Sequence, residues 1–335
     1  MLILAGDVGG TKTRLGIYDY SGNAQFKRTV VERFESTATA SFEEIALTFL
    51  KKNGLAGKDI AACCFGVPGP VVNGTVKLTN LPWVLDEKKI ASTLGIAKTF
   101  LANDLEATIS AAPTFCPEDL VVLHPGKEDR NKNVFAILAP GTGLGQGYLI
   151  KTRDNRYHAF PSEGGHVEFA PKTELEFDLL KHMQRKLKKR VSIERVLCGP
   201  GLVNIYTFLR DHGYNDEPPE LKQELSAKDA AAAIAKSGLA GEYEICVKAL
   251  DMFASLLGSQ AGDVVLSYLS TGGMYLGGGI PPKILPKLLE GGLVEAYLKK
   301  GRLSPLVEAT PLYVIKDDHA ALLGAATLAA SLIEK

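Results

Sequence analysis

A mixed α/β fold in about two domains is what this sequence predicts, on three observations. The chain has 335 residues, too many for one small core. Short apolar runs bounded by glycine alternate with stretches of helical period. Glycine, at 34 residues, makes up about a tenth of the chain, and it gathers between strand-like segments.

The elements follow in order. Residues 2–5 are apolar and end at Gly6, which reads as a buried strand, and 13–18 follows a glycine turn and pairs with it. Ser41 and Glu44 have capping-box spacing. Behind them Phe42, Ile45, Ala46, Phe49 and Leu50 share one helical face, and Gly54 lies just past the end. Strands are expected at 60–65 and 98–101. Cys63 and Cys64 should point to opposite faces and pack in the core. A second set begins near Leu120, with strands at 120–123, 134–139 and 146–150. Thr173 and Glu176 cap a helix that runs to about Lys189. Its basic end suits the negative end of a helix dipole and reads as a solvated face. Helices at 226–236, 243–269 (long and buried) and 320–333, with strands at 274–276 and Leu312–Ile315, complete the chain.

Bulk properties exclude several classes. Lys+Arg and Asp+Glu balance at 38 each, without the basic excess of a nucleic-acid binder. No apolar run reaches the ~18 residues of a membrane span. The apolar start reads as a strand and not as a signal peptide. The five cysteines are odd in number and lack metal spacing, so a reducing cytoplasm is expected.

Two glycine turns suggest phosphate chemistry. The first is Gly6-Asp7-Val8-Gly9-Gly10-Thr11-Lys12, where backbone N–H groups can approach a phosphate closely. Thr11 adds a hydroxyl and Lys12 a charge, and Asp7 can hold Mg²⁺ directly or through water. A plain glycine turn is the alternative. The second runs from Gly141, Thr142 and Gly143 to Gly147. Strands flank it on both sides, whereas a dinucleotide fingerprint needs strand then helix, and no Gly-Lys-Ser/Thr string occurs. Two such hairpins suggest two lobes clamping one nucleotide. A third cluster, Thr271-Gly272-Gly273 with Gly277-Gly278-Gly279, suits either an adenine pocket or a tight helix–strand junction.

A polar set suggests a small hydroxylated ligand. Asn103-Asp104 follows a strand, where Asp104 serves either chemistry or as N-cap of a helix over 105–112. Ser162-Glu163-Gly164-Gly165-His166 is a polar loop, and Glu194 opens a junction into a helix. Asn103, Asp104, Glu163, His166 and Glu194 are the residue types that bind vicinal hydroxyls. Zinc on His166, Glu163 and Glu168 is the rival reading, but no second His or Cys lies at ligand spacing. His124, His158, His182, His212 and His319 read as isolated, structural or exposed.

Five strings resemble the bacterial glucokinase family over nearly the whole chain. They are Gly6–Thr11, Asn103-Asp104, Gly141–Gly145, Glu163–Pro171 and Glu194–Asn204. The resemblance implies an actin-like ATPase (ribonuclease H-like) fold of two α/β domains with a cleft between them. The small domain would be 1–110 plus a C-terminal helix at 318–335, and the large one 111–317. It further implies a cytoplasmic homodimer that uses ATP and Mg²⁺ to phosphorylate glucose at its 6-hydroxyl. Asp104 would be the base, and Asn103, Asp104, Glu163, His166 and Glu194 would hold the sugar. Gly6 to Lys12, Gly141, Thr142, Gly143 and Gly278 would contact the nucleotide, with Asp7 on the metal. Pro140 and Ser162 depart from the usual small residues or glycine. The related repressor/kinase family carries a Cys-rich zinc motif that is missing here, which favours the zinc-free branch. Other readings are a kinase for mannose, fructose or an N-acetylhexosamine, and an actin-like ATPase module that binds protein. A sugar-responsive repressor is not expected, because the chain begins directly with a core strand.

Overall fold

The N-terminal hairpin sets the first sheet. The computed structural model describes every residue except 23–24, 79, 128–132, 215–216, 228, 317–318 and 334–335. β1 (Leu2–Val8) pairs antiparallel with β2 (Lys12–Tyr20), from Leu2 opposite Asp19 to Val8 opposite Thr13. Both outrun the expected 2–5 and 13–18, and Gly6 explains the first. It is a packing residue and not a strand end, since a Cβ there would lie 2.5 Å from the Phe65 ring. Gly6, Asp7 and Val8 are therefore strand residues, and the turn shrinks to Gly9-Gly10-Thr11.

β3 (Phe26–Glu35) pairs with β2, and α1 (Phe42–Lys52) follows. The Ser41 hydroxyl accepts from the Glu44 N–H, and the five apolar residues foreseen on one face are buried. β4 (Ile60–Val67) runs parallel to β1 and carries Cys63 and Cys64 into two different core clusters. β5 (Thr75–Lys77) and β6 (Val84–Asp86) form a small separate hairpin whose three-residue strands are too short to show a period. α2 (Glu87–Leu94), β7 (Thr99–Asn103) and α3 (Asp104–Ser110) complete this region, giving the order β3-β2-β1-β4-β7.

The second sheet is ordered β11-β10-β9-β12-β13-β8. Its strands are β8 (Leu120–His124), β9 (Val134–Pro140), β10 (Leu144–Lys151), β11 (Tyr157–Ser162), β12 (Gly273–Leu276) and β13 (Leu312–Ile315). The glycine hairpin expected over 141–147 narrows to Gly141-Thr142-Gly143, because Leu144 already pairs with Pro140. The helices are α4 (Glu174–Leu187), α5 (Gly199–Asp211), α6 (Pro219–Ala227), α7 (Ala230–Ala240), α8 (Glu244–Tyr268), α9 (Leu285–Leu288), α10 (Gly292–Leu298), α11 (Ser304–Ala309) and α12 (Ala320–Ser331). The single helix expected over 226–236 is two. Asp229 accepts from the N–H groups of Ala231 and Ala232 and starts α7 afresh, a capping role hidden inside a helix-forming run. Lys228, and the ends of the helix expected over 318–335, lie outside the described residues. α8 is buried along most of its length, as its apolar surface requires.

By contacts the chain forms two compact units. One is Met1–Asp119 with Lys151–Pro161 and Asp317–Lys335, and the other is Leu120–Ile150 with Ser162–Lys316. No helix among the described residues is long and apolar enough to cross a membrane. In the first unit α12 lies directly on α3. A Cβ on Gly324 would come 1.6 Å from the Ala107 carbonyl oxygen. Gly324→Val must therefore push the helices apart, and a loss of about 1–3 kcal/mol is expected from overpacking, read as a lower urea midpoint.

Candidate active site

In the first unit, two carboxylates share the C-terminal ends of the parallel strands. Asp7 is on β1 and Asp104 opens α3 just after β7, with β4 between those strands. Gly66 on β4 pairs with both Asp7 and Ala102, and a Cβ there would sit 3.8 Å from the Asp104 Cα. Burial pushes the Asp104 carboxyl above the usual aspartate range, and the Asp7 charge adds to this against the bond from the Leu105 N–H.

The N-cap of α3 is Asn103, which corrects the reading of Asp104 as the cap. Asn103 has extended backbone, its Oδ1 accepts from the Leu105 N–H at 3.0 Å, and Asp104 is already helical. The Asn103 N–H donates to Glu106 Oε2 at 3.2 Å, and its Nδ2 donates to the Gly69 carbonyl at 3.1 Å. Glu106, which the sequence reading passed over, closes this capping box with a carboxyl that burial pushes upward. The Asn-x-x-Glu spacing was its signal.

The first glycine turn is braced from behind. Ser36 Oγ donates to the Gly9 carbonyl at 2.8 Å, so Thr13 Oγ1 donates to Ser36 at 2.9 Å. The Gly9 N–H closes onto the Lys12 carbonyl at 2.9 Å, leaving Thr11 and Lys12 exposed.

In the second unit, the start of β10 organises a second polar site. The Leu144 N–H donates to Glu194 Oε2 at 3.0 Å, which binds Glu194 to the second glycine turn. The Gly199 N–H donates to the Gly141 carbonyl at 2.9 Å, attaching α5 to the same turn. Glu163 and His166 are exposed, with His166 Nε2 3.7 Å from the Glu163 carboxylate. Between them Gly164 and Gly165 are buried. Glu168, the third member of the zinc alternative, pairs with Arg190 at 3.1 Å. Among the described residues, no three His, Cys, Asp or Glu gather as metal ligands.

A cavity of about 600 Å³ opens beside this turn, lined by Gly141, Thr142, Pro200, Ala231, Gly279 and Lys283 among others. The small residues of 230–232 leave this space open, a signal that the sequence reading took only as helix. Gly278 is not in the lining. Its φ is +76°, and a Cβ would lie 2.7 Å from the Pro140 carbonyl oxygen. In the third glycine cluster, Gly272 packs on the Val134 carbonyl at the strand junction, and Gly279 lines the cavity. His182 and His212 are not isolated. Their rings lie 5.3 Å apart against Phe208, and burial followed by His212 lowers the His182 pKa.

A family model described as Glucokinase matches residues 4–332. The chain belongs to the glucokinase family. A glucokinase of Nostoc sp. (strain PCC 7120) is 40% identical over 99% of both chains. One of Synechocystis sp. is 36% identical over 98% of this chain and 97% of its own. The crystal structure of a glucokinase from an Antarctic psychrotroph superposes with a TM-score of 0.87 at 30% identity, covering 98% of this chain and 99% of that one. The fold is accordingly the two-domain actin-like ATPase fold of glucokinases. Of the two positions where this glucokinase-family chain departs from the usual residues, Pro140 ends β9 and pairs with Leu144, and Ser162 ends β11. Removing the Glu194 carboxylate (Glu194→Ala) leaves the Leu144 N–H without its acceptor. Faster hydrogen exchange at that amide and a stability loss of about 1–2 kcal/mol are expected.

Proposed function

We propose that this chain transfers the γ-phosphoryl group of ATP to the 6-hydroxyl of glucose, with Asp104 as general base. The observation that carries the reading is Asp104 itself: a mostly buried carboxylate beside Asp7, held at a helix start by the Leu105 N–H, in a member of the glucokinase family. Burial makes it a stronger proton acceptor than an exposed aspartate. It takes the proton of the sugar hydroxyl as the new O–P bond forms and the bond to the bridging β–γ oxygen breaks. Asn103, Glu163, His166 and Glu194 hold the remaining hydroxyls. Their acceptors and donors suit this task, and Glu163 with His166 stands exposed on a backbone whose glycines are buried.

The N–H groups of Gly10, Thr11 and Lys12 and of Thr142 and Gly143 are assigned to the phosphates, with Gly9 and Gly141 closing the two turns through their own N–H groups, and the 600 Å³ cavity beside Gly141 is assigned to the nucleoside. Asp7 fits a divalent cation, because its charge beside Asp104 already disfavours two ionised carboxylates and a cation relieves that cost. Mg²⁺ bound there would offset charge on the phosphates of ATP. A cytoplasmic homodimer belongs to the same proposal: cysteines that are all free suit a reducing compartment, and the dimer rests on the family resemblance alone.

A coupled assay of ATP against a hexose panel tests the reading. Fast turnover with glucose and product phosphorylated at the 6-position is expected. Preference for mannose, fructose or an N-acetylhexosamine would reassign the substrate, and ATP turnover independent of sugar would point to an ATPase module. Asp104→Asn should keep sugar binding and lower kcat by at least ~10². The pH sign follows from the raised carboxyl: activity falls on acidification, with a midpoint above the ordinary aspartate value. Asp7→Asn removes one cause of that shift and should move the midpoint downward.

A further inference from the structure

A buried amide in the middle of a strand needs a reason. Gln146 lies inside β10 opposite Leu138 and is only 5% exposed. Its Oε1 is buried without a protein partner, a cost that an apolar residue would avoid. Its Nε2 donates to Tyr268 Oη at 3.0 Å, and Tyr268 Oη donates on to Ser162 Oγ at 3.0 Å. Ser162 Oγ also accepts from the Gly164 N–H at 3.1 Å. Tyr268, the last residue of α8, stacks on Tyr148 with ring centroids 4.4 Å apart, which fixes where its hydroxyl stands.

The chain of bonds ends on both sides of Glu163. Ser162 and Gly164 are its neighbours, and the Glu163 carbonyl in turn accepts from the His166 N–H at 2.9 Å. The loop also lies flat on β10. A Cβ on Gly164 would meet the Gln146 amide at 2.4 Å, and one on Gly165 the Leu144 carbonyl oxygen at 2.1 Å. The Glu163 backbone is thus set before any ligand arrives, although its side chain is exposed. Prepaid loop order lowers the cost of binding.

We propose that Gln146, Tyr268 and Ser162 are positioning residues that hold Glu163 and His166 ready for the sugar. They act through that loop and not on the reacting atoms, and the inference rests on the reading of the loop as a sugar ligand. Tyr268→Phe and Ser162→Ala each remove two hydrogen bonds of this chain and should each raise the glucose KM at least about fivefold, the scale of one hydrogen bond. The ATP KM and kcat should stay within about twofold, and the double variant should be no worse than the poorer single one, because both cut one chain. Backbone amides from Gly164 to His166 should exchange faster in Tyr268→Phe, which touches none of them directly. An unchanged glucose KM in both single variants, or additive losses in the double, overturns the proposal. If the wild-type protein consumes no ATP with glucose, the functional reading fails, and exchange alone then decides positioning. Faster exchange in Tyr268→Phe supports it, and unchanged exchange overturns it.

Discussion

The seating of α3 is the constraint on which the rest of the first unit depends. Its first residue carries the carboxylate assigned to chemistry, so any error in the helix is an error at Asp104. Three contacts hold it. Gly324 lets α12 approach the Ala107 carbonyl, Gly66 leaves room on β4, and the Asn103–Glu106 box closes the turn from β7. Each contact uses a residue too small, or a hydrogen bond too local, to be replaced by general hydrophobic packing. The core beneath can exchange one aliphatic side chain for another at modest cost, but these contacts cannot shift without moving Asp104.

The second unit has an equivalent anvil in the first three residues of β10. Leu144 offers its N–H to Glu194 and its carbonyl to the face of Gly165, while Gln146 lies under Gly164. Glu194 and the Glu163–His166 loop come from separate parts of the chain and meet on this short stretch of strand. Both sheets also share one unit, an antiparallel hairpin around a glycine turn with a parallel strand against the hairpin's first strand. The turns narrow to three residues in each, Gly9 to Thr11 and Gly141 to Gly143. That shortness presents backbone N–H groups on rigid elements.

Much of this was legible in the residues because it depends on local signals. The apolar face of α1, the buried length of α8 and the opposed pair Cys63 and Cys64 follow from periodicity alone. Glycine was harder to read where close packing, and not only conformation, requires it. Gly6 looked like a strand end and is a seat for Phe65, and Gly278 combines a positive φ with close packing on Pro140 that its sequence context does not announce. The two strands of the β5–β6 hairpin carried too few residues to show a pattern, and Asp229 was masked by the alanines around it.

By itself the sequence determined the α/β class, the two glycine turns, and the family to which the five strings belong. These are properties of short strings, and short strings keep their meaning without partners. Only the tertiary structure decided that Asn103 and not Asp104 is the cap, that Asp7 bears on Asp104, that Glu194 is bound to the second turn, and that Gln146, Tyr268 and Ser162 form one chain of hydrogen bonds. The last three residues are spread over 123 positions, from 146 to 268. Burial and hydrogen-bond direction depend on what the fold brings alongside, and no local pattern encodes a neighbour that far along the chain.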